Sequence, residues 1–352
     1  MQTRAIHSLI LGAALLATSK TAAAEITGTN SPAAKAGSGQ GAVFGFLEEN
    51  DLFVSTDRHY TQGIKFYFLH AEGNTPGCID RLSEKLPSFG YQPEHSRFGY
   101  EVGQNIYTPG DISIPTYIPN DRPYAGWLYA GFILQRRGET DRHQTRTLES
   151  LTLDLGVVGP QALAGEAQTW VHEIRGFALP QGWRHQLSTE PGLQLKYQRQ
   201  WLYRVNAAEN WALDFVPSVG ASLGNVLTSG HLGSMVRLGY KLPEDFGPQN
   251  IDSLSVNSGG IEKDCDCNPW LSAYIFSAIE GRAVGWNVTL DGNLFTSSYD
   301  VPKNNFVGDF KFGGVVSIKN VDVSFSYILR SPEFKGEKEP SGFGVFAVRL
   351  KF

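Results

Sequence analysis

The chain has 352 residues, with 39 Gly, 21 Phe, 14 Tyr and 7 Trp against only 2 Met, a balance that favours strands and turns over helices. Its formal net charge is −5 and it carries no basic run, so no positive excess is available to neutralise phosphates and a nucleic-acid partner is excluded. Length alone does not divide it, because all-β barrels of this size are routinely single units.

The N-terminus reads as a secretory signal over residues 1–24. Arg4 supplies the positive start, "LILGAALLA" (Leu9 to Ala17) the apolar stretch, and "TAAAE" a small-residue cleavage site after Ala24. The alternative, a membrane anchor, needs a longer apolar run than this one. Residues 25–40 are small and polar and are expected to form a flexible lead-in to a single barrel over residues 41–352.

Beyond the leader, side chains alternate almost everywhere. In "GVFAVRLKF", Phe346, Val348, Leu350 and Phe352 share one face, and Val345, Ala347, Arg349 and Lys351 the other. "VDVSFSYIL" sets Val321, Val323, Phe325, Tyr327 and Leu329 against Asp322, Ser324 and Ser326, and "SLTLDLGVV" sets Leu151, Leu153, Leu155 and Val157 against Thr152, Asp154 and Gly156. This is the period of strands with lipid on one side and water on the other. A soluble sandwich also alternates. An export signal, strands long enough to cross a bilayer at a tilt, and a terminal Phe closing an alternating strand together favour the outer membrane.

The expected fold is therefore an all-β transmembrane antiparallel barrel of about twelve strands. In chain order they fall near 41–49, 61–71, 97–107, 126–136, 148–158, 192–204, 210–221, 229–241, 270–288, 306–318, 321–330 and 343–352. In the ninth, "GRAVGWN" reads equally as a turn that would divide it. With both termini periplasmic, the connections 50–60, 108–125 and 159–191 reach the outer face. Links near 72–96 and 242–269 lie on the other side, which brings Cys78 to the same face as Cys265 and Cys267. Cys-x-Cys is too short for tetrahedral zinc by itself, so a bridge from Cys78 to one of the pair is expected in an oxidising compartment.

The outer connections carry the unusual chemistry: "ENDLF" and "TDRHYTQG", then "PNDRPYAGWLYAG", then "GVVGPQALAGEAQTWVHEIRGFALPQGWRHQL". His172 suits a general base because imidazole titrates near neutrality, although it is also one of eight histidines and reads equally as an ordinary loop residue. Asn50 and Asp51 offer hard oxygens that suit calcium, or they simply cap a turn. Arg58 and Arg122 have planar forks suited to lipid phosphates, or to structural pairs with Asp57 and Asp121. Pro123 and Gly126 would fix the backbone, while Tyr124, Trp127 and Tyr129 suit an interfacial aromatic girdle. Gly159-Pro160 and "PQGW" at 180–183 read as turns.

Those three segments, in order and spacing, resemble the bacterial outer-membrane lipid A 3′-O-deacylase family. The resemblance implies an active site near the outer rim of the wall made by His172, Asn50, Asp51 and Thr61. It also implies a calcium ion held with the help of Asp51, water deprotonated by His172, and Thr61 ordering the site or donating a carbonyl. Lipopolysaccharide in the outer membrane would be the substrate, and a monomer the expected state. One departure stands out: where the family has an acidic residue shortly after the histidine, "HEIRGFALP" places Ala178. Either Glu173 or Glu190 then orients His172, or the acid is dispensable, or activity is lost. Two other functions fit the same fold: an outer-membrane phospholipase, for which no Ser-His arrangement is visible, and a non-catalytic pore, adhesin or structural barrel.

Overall fold

A backbone that crosses lipid has no water to bond, so each strand must pair on both sides. The computed structural model describes residues 39–51, 59–88, 90–140, 145–256, 259 and 269–352. Twelve antiparallel strands close into a barrel, each bonded to its sequence neighbours, with β1 paired to β12. They are β1 (Val43–Asn50), β2 (His59–Leu69), β3 (Gln92–Thr108), β4 (Ala125–Thr140), β5 (Thr145–Val158) and β6 (Glu190–Ala208), followed by β7 (Trp211–Gly224), β8 (Leu227–Tyr240), β9 (Leu271–Asn287), β10 (Phe306–Ile318), β11 (Val321–Arg330) and β12 (Ser341–Lys351). All twelve expected strands are present. The ninth runs unbroken through "GRAVGWN" to Asn287, because both its neighbours, β8 and β10, pair with it. No helix among the described residues is long and apolar enough to cross a membrane. The leader, most of the lead-in, Arg58, Cys265 and Cys267 lie outside the described residues.

Val43 pairs with Lys351 and Asn50 with Gly344, so both ends of the barrel chain lie at one rim, here the terminal rim. The opposite, loop rim carries the connections after the odd-numbered strands. Alternation sorts the side chains as expected. Phe325, Leu155, Leu193 and Ile275 are exposed on the outer wall, whereas Asp154, Lys196, Arg237 and Arg330 are buried in the lumen. The lumenal charges are paired: Arg330 holds Asp309 in a two-pronged contact at 2.9 and 3.0 Å, and Lys196 bridges Glu101 at 2.7 Å and Asp154 at 2.8 Å. Paired in this way, the charges avoid the large cost of lone buried ions.

At the terminal rim, the link between β2 and β3 carries helix α1 (Gly77–Lys85), where Cys78 is an exposed free thiol. Arg136 and Arg199 on the outer wall hold this link by donating to the carbonyls of Ser83, Leu86, Pro87 and Ser88 at 2.7–3.0 Å. The link between β8 and β9 does something the sequence did not reveal: it turns into the lumen. Asp245 binds Arg237 and Arg349. Further along, the Ile251 amide donates to Glu49 at 2.6 Å, Lys65 donates to the Ile251 carbonyl at 2.8 Å, and Asp252 meets Arg330 at 3.0 Å. Gln135 donates to the Val256 carbonyl, and Lys311 to Asn250. The segment therefore spans the barrel interior and touches strands on several sides, including β1 one residue before Asn50.

A lumen crossed by bonded chain does not pass a steady ion current. In planar bilayers the parent barrel should show none, and replacing residues 246–256 by a Gly-Ser linker should open a measurable conductance. Steady current through the parent would show that this segment leaves the lumen.

Candidate active site

The outward register of the first three strands breaks its own pattern near the loop rim. On β1 it runs Phe44, Phe46, then Glu48 and Asn50; Asn50 pairs with Gln62 on β2, and Gln62 with Ile106 on β3. Phe46 and Phe66 pack in a tilted pair on the lipid side, with ring centres 5.1 Å apart. Higher up, Asn50, Thr61, Gln62 and Thr108 are buried. Polar groups on a lipid-facing register need cover or partners. Thr61 sits in a β-bulge between Tyr60 and Gln62, and its hydroxyl meets that of Thr108 at 2.6 Å. Bulges re-aim side chains at strand ends, and here one places a hydroxyl against the neighbouring strand.

Cover comes from the loop between β5 and β6. Its chain turns at Pro160–Ala162 and enters helix α2 (Ala164–Arg175). Ala164 seats where β4 has Gly126: a Cβ there would lie 2.5 Å from that of Ala164, so only glycine permits the contact. Gln104 on β3 donates to the Ala162 carbonyl at 2.6 Å, and at the other end Arg175 approaches Glu48 of β1 to 4.0 Å. These anchors lay α2 across the outer wall from β4 to β1. A helix of this length, about 18 Å, matches three strand spacings of about 4.8 Å with little to spare. His172, three residues before Arg175, is thus carried toward β1, at whose end Asn50 and Asp51 lie beside the Thr61 bulge of β2. All four are buried.

What orients His172 differs from expectation. Gly176, with φ of 71°, reverses the chain, and the amides of Gly176 and Phe177 close back on the carbonyls of Glu173 and His172 at 3.3 and 2.9 Å. This Schellman turn swings Ala178 under the imidazole, where its carbonyl lies 2.6 Å from Nδ1. A carbonyl only accepts, so Nδ1 carries the proton and Nε2 is left as the base. Glu173 is exposed, and Glu190 is occupied by Asn225 and the amides of Leu294 and Phe295. Neither glutamate orients the ring. Because the main chain does this work, the side chain at 178 does not decide the tautomer.

Gln168, one turn before His172 on the same face, was missed by sequence reasoning. It is fully buried, and its Oε1 accepts the Trp183 indole N–H at 2.8 Å. Indole only donates, which fixes the amide and points Nε2 away, where it has no hydrogen-bond partner among the described residues. Gln62 and Thr108 were missed too, though polar residues on an otherwise apolar register are visible in the sequence.

Arg122 takes up the structural alternative, with Glu333 in place of Asp121. Buried at the rim, it bonds Glu333 at 3.2 Å and Thr289 at 3.0 Å and lies over the Tyr107 ring, tying three loops together. Burial pushes the Glu333 carboxyl up, but Arg330 and Arg122 outweigh it and hold the group below the ordinary carboxylate range. Trp127 and Tyr129 form no girdle: they point into the lumen, stacked at 5.4 Å, because the odd positions of β4 face inward, and Tyr124 packs on Trp183 between the second and third loops.

Among the described residues no three of His, Cys, Asp and Glu cluster to hold a metal ion. The donors gathered at the corner are oxygens: the Asp51 carboxylate, the Asn50 amide and the Thr61 and Thr108 hydroxyls. Such a set fits a hard cation such as calcium, with main-chain carbonyls and water completing its shell, and does not suit zinc.

Comparison with known proteins gives the family. A search of curated proteins finds no match. Among solved structures, LpxR from Salmonella typhimurium superposes with a TM-score of 0.68 at 21% identity, over 88% of this chain and 100% of that one. The β-domain of the Bordetella autotransporter BrkA follows at a TM-score of 0.41 and 9% identity, over 90% of this chain and 100% of that one. The family described as "Outer membrane protein LpxR" matches residues 9–352, so the chain belongs to the LpxR family of outer-membrane β-barrel proteins.

Proposed function

We propose that this barrel is a calcium-dependent lipid A 3′-O-deacylase. What supports the reading is a buried, tautomer-fixed histidine on a helix laid along the lipid-facing wall, together with buried polar residues on that wall's register. A site inside the lumen would meet only water-soluble substrates, whereas one on the outer wall meets lipids without extracting them. With the loop rim outward, as expected for a barrel whose termini are periplasmic, that lipid is lipopolysaccharide.

His172 Nε2 takes a proton from a water molecule, whose oxygen attacks the acyl carbonyl. The carbon–oxygen bond to the sugar then breaks, the fatty acid departs, and the proton held on His172 passes to the leaving sugar oxygen, which becomes a hydroxyl. Ala178 keeps the ring in register throughout by accepting from Nδ1. Asp51 and Asn50 would hold the calcium ion, which when bound supplies positive charge to polarise the ester. Thr61, locked to Thr108, fixes the bulge beside them. Burial of all these groups beneath α2 limits entry of bulk water to the site.

The direct test is to incubate the barrel with lipopolysaccharide in calcium or chelator and weigh the lipid A by mass spectrometry. Calcium-dependent loss of the 3′-acyl group is expected. His172→Ala should slow it by about 10²–10⁴-fold, the usual worth of a general base. Asp51→Ala should abolish the response to calcium. An unchanged lipid A mass under both conditions would sink the reading.

Gly126→Val tests the seat of α2. Overpacking costs about 1–3 kcal/mol locally, so the barrel should stay heat-modifiable on gels while deacylation falls. Full activity in that variant would detach α2 from the chemistry.

A further inference from the structure

The helix that carries His172 is amphipathic in the reverse of the usual sense. At 3.6 residues per turn, Ala164, Gln168, His172 and Arg175 share the face turned to the barrel wall. Leu163, Trp170 and Ile174 lie on the opposite face, exposed at 53%, 64% and 65%. Beyond the Schellman turn Phe177 and Leu179 continue the stripe, at 43% and 39% exposure. A surface helix normally turns its apolar side to the protein and its polar side to water. Here the small and polar residues pack and the large apolar ones stand free.

We propose that this stripe is a bilayer-binding surface, seated among the acyl chains of the outer leaflet, so that α2 is clamped between barrel wall and membrane. Continuity assigns the occupant. The outer wall next to α2 exposes Tyr100 and Val102 on β3 and Phe132 on β4, the lipid-facing register of the barrel. Trp170 on the stripe suits the level of the headgroups. Running across the strands, α2 lies near the membrane plane, as interfacial helices do. Glu166 and Glu173 on one edge of the helix remain exposed and face the water.

The test requires no turnover and so stands apart from the proposed function. The full-length barrel and its Trp170→Phe variant are placed in phosphatidylcholine vesicles with chains brominated near the headgroup. The difference between the two emissions isolates Trp170. Strong bromine quenching of that difference, with protection from aqueous acrylamide, is expected. Quenching by acrylamide alone would put the stripe in water; protection from both quenchers would put it against a second protein. Either result overturns the proposal.

A separate observation carries a second inference. Among the described residues, the fixed and buried Nε2 of Gln168 has no acceptor, a state whose desolvation cost something bound would relieve. The geometry points to the carbonyl oxygen of a bound ester beside His172, whose negative charge grows as water attacks. This rests on the deacylase reading. Gln168→Ala should then lower kcat by about 10²-fold with KM unchanged, as loss of one oxyanion donor does. Binding of a phosphonate analogue should weaken while binding of a ground-state amide analogue holds. Trp183→Phe, which frees the amide to rotate, should lower kcat in the same direction. Activity of either variant within two-fold of an active parent would overturn the assignment; an inactive parent would instead overturn the deacylase reading itself.

Discussion

Everything in this molecule follows from the demand that a strand in lipid give every backbone N–H and C=O to a neighbouring strand. Closure between β1 and β12 meets that demand and fixes two surfaces with opposite rules: an outer wall that must be apolar and a lumen free to hold charge. The interior uses this freedom in paired form, with arginines and lysines crossing to carboxylates on adjacent strands and on the segment that enters from the terminal rim. That segment makes the barrel a filled scaffold. One of its contacts, the Ile251 amide on Glu49, is one residue before the strand end that carries Asn50.

Against so strict a rule, a polar patch on the outer wall is informative. Asn50, Thr61, Gln62 and Thr108 stand where lipid would be, and they are tolerated because a short helix roofs them. The roof is pinned at both ends, by the missing side chain of Gly126 and by the approach of Arg175 to Glu48. Between those pins the histidine is set by main-chain geometry alone. A carbonyl delivered by a glycine-dependent turn replaces the acidic side chain the family has near Ala178, so the replacement leaves the ring oriented.

Several features were open to a reader of the sequence for simple physical reasons. Alternation reports on the two immediate environments of each strand, and so all twelve strands and the grouping of the three chemical loops at the rim opposite the termini could be read directly. Asn50, Asp51, Thr61 and His172 stood out by residue type and by family resemblance. Trp127 was misread because type suggested a girdle, but its inward register on β4 had already committed it to the lumen. Gln168 was invisible because neither its pattern nor its neighbours in sequence announce that Trp183 holds one end of its amide.

By itself, then, the sequence determined what is local and periodic: strand count, the apolar and polar faces, and the residues that break the lipid-facing register. Only the tertiary structure decided what depends on contacts between distant segments. The entry of the β8–β9 link into the lumen, the laying of α2 across four strands, and the carbonyl that fixes His172 each arise from the closing of the barrel. Closure brings together residues whose separation along the chain carries no signal of their meeting.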